Sequence, residues 1–181
     1  NEMLTSSDPR ILYYFYRQVD STPGFGSDPN EETLSCSLET PPTHYAGFTF
    51  CGLQEGYWGR DHGDDDGIPP DGFLRTLAGA YPAGGVFDDS SFESRKNGAG
   101  RGGDGITPVL LSSWTDFWIA ELSLMAGDEA GAKDAMLSGI SKSVAKASSF
   151  ATNDDPNEGD NIANHYDDMA DAFDNAADKM E

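Results

Sequence analysis

The sequence predicts a mainly α chain in which three helices follow a long loop-rich region carrying a few short strands. Two observations predict it. From Leu111 onward apolar residues recur at three- and four-residue steps through three successive segments, whereas the residues before them are repeatedly broken by Gly and Pro. The boundary falls near Thr107, giving 1–106 as the loop-rich part and 107–181 as the helical part of one continuous domain.

Taken in order, Asp8-Pro9 reads as a turn or helix cap leading into the apolar, aromatic run Ile11–Tyr16. Such a run suits a buried strand or a short buried helix; its aromatics and short length favour a strand over Leu12–Gln18. Ser21–Glu32 is a connector rich in Gly, Pro, Ser and Asp. A second apolar patch, Tyr45–Leu53, is expected to pair with or pack on the first. Gly56–Phe87 then combines Tyr57 and Trp58 with Arg60, Asp61, His62 and the carboxylates Asp64, Asp65 and Asp66, on a backbone dense in Gly and interrupted by Pro69, Pro70 and Pro82. It predicts a long ordered loop without helix or regular strand. The glycines between Gly98 and Gly105 lack the flanking strand and helix of a dinucleotide fingerprint and read as a surface loop.

Thr107 as N-cap and Pro108 in the first turn open the first long helix, which is apolar most of the way round through Leu111, Trp114, Trp118, Leu122 and Met125 and is therefore expected to be central. Glu121 on it reads as a buried acid. Gly127-Asp128 ends this helix, and a second, about Glu129 to Phe150, follows closely enough to be its antiparallel neighbour. The third helix carries Ile162, Tyr166, Met169, Phe173, Ala176 and Met180 on one face and acids on the other.

The formal charge of −21 excludes nucleic acid as a main partner and favours cations or neutral polar ligands. The longest apolar runs fall far short of the ~18 residues that mark a membrane span. Asn1 is an unusual start, and no stop signal follows the third helix, so the chain reads as an internal piece of a longer polypeptide. Cys36 and Cys51 read equally as a disulfide or as two buried free thiols.

Asp61–Gly67 looks like an EF-hand loop, but placing Gly67 sixth puts His62 first and Phe73 twelfth, where an acid and a bidentate Glu are needed. A looser calcium site from Asp64, Asp66 and backbone carbonyls remains as a candidate, against a carboxylate cluster that caps loop N–H groups and pairs with Arg60 or Arg75. Asp61 and His62 are sequence neighbours whose side chains diverge in extended backbone, and no Gly-x-Ser-x-Gly elbow is present, so the chain is expected not to be an enzyme. Tyr57 and Trp58 offer faces for stacking on sugars or peptide side chains, with Arg60 and Asp61 beside them for polar contacts. The alternative is that the aromatic pair pins the loop to the core.

Three stretches in order, DPRILYYFYRQ (8–18), GYWGRDHGDDDGIPPDGFLRTLAGAYPAGGVFDD (56–89) and GITPVLLSSWTDFWIAEL (105–122), resemble the C-terminal half of SusD/RagB-type outer-membrane lipoproteins. The resemblance covers roughly Asp8 to Met125. It implies a SusD-like fold of tetratricopeptide-like helix pairs and a loop-rich C-terminal part. It also implies a lipid-anchored cell-surface protein that captures glycans or peptides as a lid on a SusC-like TonB-dependent transporter. The family helix ending in Ala-Glu-Ala corresponds to Ala120-Glu121-Leu122, which makes Glu121 a structural element, and no ligand residue is carried over. The runners-up are a helical-repeat interaction scaffold and a calcium-dependent glycan hydrolase fragment.

Overall fold

The computed structural model describes residues 2–22, 55–58, 74–95 and 105–176. Among them the chain is mainly α, with helices α1 (Glu2–Thr5), α2 (Ile11–Tyr14), α3 (Ser112–Met125), α4 (Glu129–Ser148) and α5 (Glu158–Asn175), and a two-stranded sheet of β1 (Phe15–Tyr16) and β2 (Leu77–Ala78). It divides into two compact units, each assembled from separated segments: Asn1–Tyr14, Gly79–Phe87 and Gly100–Glu181 in the first, Phe15–Ala78 and Asp88–Ala99 in the second.

The three long helices of the first unit follow the order their sequence signals give, with a shifted start for α3. Gly127 (φ +80°) closes α3: its N–H donates to the Leu124 carbonyl, and the Asp128 N–H donates to that of Ser123, satisfying two orphan carbonyls. Asp128 then caps α4 by accepting from the Gly131 N–H at 2.9 Å. With so tight a turn the two helices run antiparallel, and Asp116 reaches both Ser138 (3.0 Å) and Lys142 (2.6 Å) across them. Gly139 lets the Phe117 ring lie against the α4 backbone; a Cβ there would be 2.8 Å from the ring. Helix α5 returns along α4, since Lys133 near the start of α4 pairs with Asp174 near the end of α5 at 2.7 Å. Leu137, Ile140 and Val144 form the core between them, joined by Phe117, Met136, Ile162, Met169 and Ala170. Each such aliphatic side chain contributes about 1.5–3 kcal/mol when fully buried.

A second core of this unit gathers Tyr13, Phe87 and Ala147. Tyr13 stacks on Phe87 at 5.4 Å, and Tyr81 meets Phe150 edge-on at 5.3 Å. The backbone of Gly85 bridges Ala151, and the Tyr81 N–H donates to the Tyr13 carbonyl at 2.8 Å. The N-terminal segment docks through Arg10, whose guanidinium donates to Ser143 Oγ (2.8 Å) while bound to Asp8 through both carboxylate oxygens. His165 of α5 is buried with Nδ1 3.3 Å from the Ser6 carbonyl.

Five expectations change. The strand over Leu12–Gln18 is β1 alone, because Asp8 accepts from the Arg10 N–H at 2.9 Å and the cap winds Ile11–Tyr14 into a helical turn first. The Gly56–Phe87 stretch does hold a strand: β2 occupies the end of its longest interval free of Gly and Pro, 73–78, and pairs antiparallel with β1 as Phe15↔Ala78 and Tyr16↔Leu77. Helix α3 starts at Ser112 after an extended Leu111 (φ −105°, ψ 146°), because the Ile106 N–H donates to the Pro82 carbonyl at 2.9 Å and holds the residues after Gly105 away from the helix. Nor is α3 central: Ser113 and Ala120 are buried, while Trp118, Leu122 and Met125 stand 53%, 63% and 70% exposed, and Glu121 is exposed too. Tyr45–Leu53, Cys36, Cys51 and Met180 lie outside the described residues. No described helix is long and apolar enough to cross a membrane.

Candidate functional site

The second unit is organised around arginines laid on aromatic rings. Arg17 follows β1 directly, so its backbone is fixed by the sheet. Its guanidinium lies over the Tyr57 ring at 5.0 Å and the Phe92 ring at 5.2 Å. It donates from Nε to Asp88 Oδ2 at 2.6 Å, from Nη2 to Ser90 Oγ at 2.8 Å and from Nη1 to the Glu55 carbonyl at 3.4 Å. Asp88 is 1% exposed and also accepts from the backbone N–H groups of Arg17 and Ser90. Phe92 holds its ring in place from a left-handed backbone conformation (φ 53°), a strain of about 1–2 kcal/mol for a non-glycine residue.

Burial works against the Arg17 charge, but the Asp88 hydrogen bond and the charge interactions with Tyr57, Asp88 and Glu55 together outweigh it, and the guanidinium is held above its ordinary range. Burial also pushes the Tyr57 hydroxyl up to about 12, although Arg17 opposes it.

Trp58 is set by three hydrogen bonds to residues 74–76, just before β2. Its N–H donates to Thr76 Oγ1 (2.9 Å), its indole Nε1 donates to the Leu74 carbonyl (3.2 Å), and its carbonyl accepts from the Thr76 N–H (3.0 Å). Thr76 Oγ1 donates onward to the Gly56 carbonyl at 3.0 Å. Arg75 lies over the indole at 4.2 Å. Gly56 (φ +82°) packs so closely on the Val19 carbonyl that no side chain fits there. Buried Gln18 closes the frame, donating to the Arg75 carbonyl and accepting from the Arg95 N–H, each at 2.6 Å, while Arg95 lies over Tyr16 at 4.7 Å.

Of the residues singled out from the sequence, the structure brings Tyr57 and Trp58 together at the two-sided base of segment 59–73. Both are buried, at 8% and 5% exposed, with Arg17 on one ring and Arg75 on the other. Buried in this way, neither ring presents an open stacking face. Arg60, Asp61, Asp64 and Asp66 lie outside the described residues. Among the described residues no group of three or more His, Cys, Asp or Glu side chains is placed to hold a metal. Sequence reasoning passed over Arg17, Asp88, Thr76 and Gln18. The one available signal was position: Arg17 and Asp88 are the first charges after the apolar runs Ile11–Tyr16 and Val86–Phe87. Comparison with family models, with curated proteins and with solved structures found no match to this chain.

Proposed function

We propose that this chain is part of a non-enzymatic, lipid-anchored cell-surface protein that captures glycans or peptides and serves as a lid on a SusC-like TonB-dependent transporter. The likeness of its three quoted stretches to SusD/RagB-type proteins suggests the role. The observation that carries it furthest is the frame itself: Arg17, Asp88, Gln18 and Thr76 fix both flanks of segment 59–73, residue 58 on one side and residue 74 on the other, to the same small sheet.

A rigid base of this kind suits presentation of a binding loop, in which Arg60 and Asp61 would supply polar contacts and Asp64 and Asp66 would hold calcium. The buried charges Arg17, Asp88, Arg10 and Asp8 are each spent on structure, which fits a binding module better than a catalyst. The antiparallel run of α3, α4 and α5 is compatible with tetratricopeptide-like pairs. The exposed apolar face of α3 favours one second reading, a helical-repeat interaction scaffold.

Affinity purification of the full-length protein from outer-membrane extract, followed by mass spectrometry, tests the proposal. A large β-barrel transporter as main partner is the expected result. Recovery of soluble proteins alone would overturn the lid reading in favour of the scaffold.

A further inference from the structure

The least explained surface of the described residues is the far side of α3. Residues Ser113, Phe117 and Ala120 turn toward α4, and Trp114, Trp118, Leu122 and Met125 form a stripe on the opposite side. Val109 and Leu110, 84% and 62% exposed, extend it beyond the helix start. Given their size and exposure, these six side chains present on the order of 700 Å² of mostly apolar surface, above the roughly 300–600 Å² of the largest patch on a typical monomer. It also approaches the ~800 Å² that each partner contributes to a stable interface, and homodimer interfaces are the more apolar class.

We propose that this stripe is the interface between two copies of the chain, paired about a two-fold axis at Trp118. The spacing is self-complementary. Trp114 and Leu122 each lie four residues from Trp118, so antiparallel α3 helices set Trp114 of one copy against Leu122 of the other and bring Met125 near Leu110. The charges agree with that register. Asp116 is already engaged by Lys142 and Ser138 on α4, and Glu121 falls opposite Thr115, so no like charges meet. Between Gly105 and Asp128 the chain has no Lys or Arg, which leaves the contact to apolar packing. Each copy carries −21, so long-range repulsion opposes association and added salt tightens it, the reverse of binding driven by opposite charge. The proposal does not depend on the transporter-lid reading.

Sedimentation equilibrium of the full-length protein at low and high salt is the test. A dimer at micromolar concentration that strengthens with salt is expected. Leu122→Lys and Trp114→Glu should each weaken it by at least about 100-fold with an unchanged circular dichroism spectrum, because each buries an unpaired charge. Mixed one to one, the two variants should recover a heterodimer, since the new charges then face each other. A monomeric wild type overturns the proposal, whether the stripe is covered within the longer chain or by another protein. So does a dimer indifferent to both substitutions, or two monomeric variants that do not rescue one another.

Discussion

Replacing Asp88 by Ala tests whether the second unit depends on its arginine frame. Asp88 is 1% exposed, and the side chain of Arg17 is 13% exposed, so neither charge is relieved by water when the other is removed. The substitution deletes the Nε contact at 2.6 Å and the weaker Nη2 contact at 3.3 Å, and strips the acceptor from the N–H groups of Arg17 and Ser90. Arg17 keeps Ser90 Oγ, the Glu55 carbonyl and two aromatic faces, and the Glu55 carboxylate as a weaker charge, with no carboxylate left in direct hydrogen bonding. Breaking one side of a buried pair costs about 3–5 kcal/mol, against 0–1 kcal/mol for a surface pair. Asp88→Ala is therefore expected to lower unfolding stability by about 3 kcal/mol or more.

Urea denaturation followed through the blue-shifted emission of buried Trp58, in a background where Trp114 and Trp118 are replaced by Phe, measures it. Arg17→Met with Asp88→Ala completes a double-mutant cycle. Because the buried pair is worth little against an apolar replacement, the double variant should be no less stable than Asp88→Ala alone, with a coupling energy of about 2 kcal/mol. A single-variant loss under about 1 kcal/mol, or coupling near zero, would refute the argument that this pair holds the frame.

Three further outcomes follow. Burial raises the Asp8 carboxyl, but the Arg10 hydrogen bonds and charge outweigh it and hold it below the ordinary carboxylate range. Its stabilisation is thus complete above about pH 4–5 and is lost as pH falls through the lowered value, so Asp8→Asn should differ from wild type at pH 6 and converge with it toward pH 2. A constant gap across that range would sink the assignment. Gly139→Val drives side-chain carbon into the Phe117 ring and should destabilise by about 1–3 kcal/mol despite replacing a poor helix former, with Phe117→Ala in the same chain restoring part of the loss; thermal melts that show no rescue would place the strain elsewhere. If Asp64 and Asp66 hold calcium, a chelator should lower the melting temperature and calcium restore it. An unchanged melt retires the metal.

How much was legible varies with how local the signal is. The extent of α4 could be read because cap, periodicity and loop residues agree with the final packing, as at Gly127-Asp128, whereas the rhythm of the third helix ran on through Ala176 and α5 ends at Asn175, with Ala176 extended. The start of α3 could not be read, because a good local cap at Thr107 loses to a hydrogen bond between Ile106 and Pro82, residues 24 positions apart in sequence. Periodicity likewise showed that α3 is apolar on two sides without showing what covers the second. His165 was hidden for the same reason: Tyr166 matched the apolar rhythm, yet the neighbouring His is the one buried, against a carbonyl 159 positions away. In the candidate site, Tyr57 and Trp58 could be picked out as the aromatic pair, but Arg17 and Asp88 are joined across 71 positions and carry no spacing motif. Substituting Trp58 to probe ligand contact would now also remove a buried side chain worth about 3–5 kcal/mol, so its effect on affinity reads first as a loss of the frame.

The N-terminal segment of the first unit has its partners at Ser143, Asp155 and His165, more than 130 positions further on. At a synthesis rate of about 5–20 residues per second, Ile11–Tyr16 emerges some seconds before Leu77, Tyr81 and Phe87, which cover it, and on the order of ten seconds before the helices. During that interval the run is a short, uncharged, aromatic segment of the kind that sticks to its own copies. Arg10 and Arg17 stand at its two ends, where charges discourage such pairing. The same two arginines that later sit against Asp8 and Asp88 thus keep the nascent chain apart until the helices arrive.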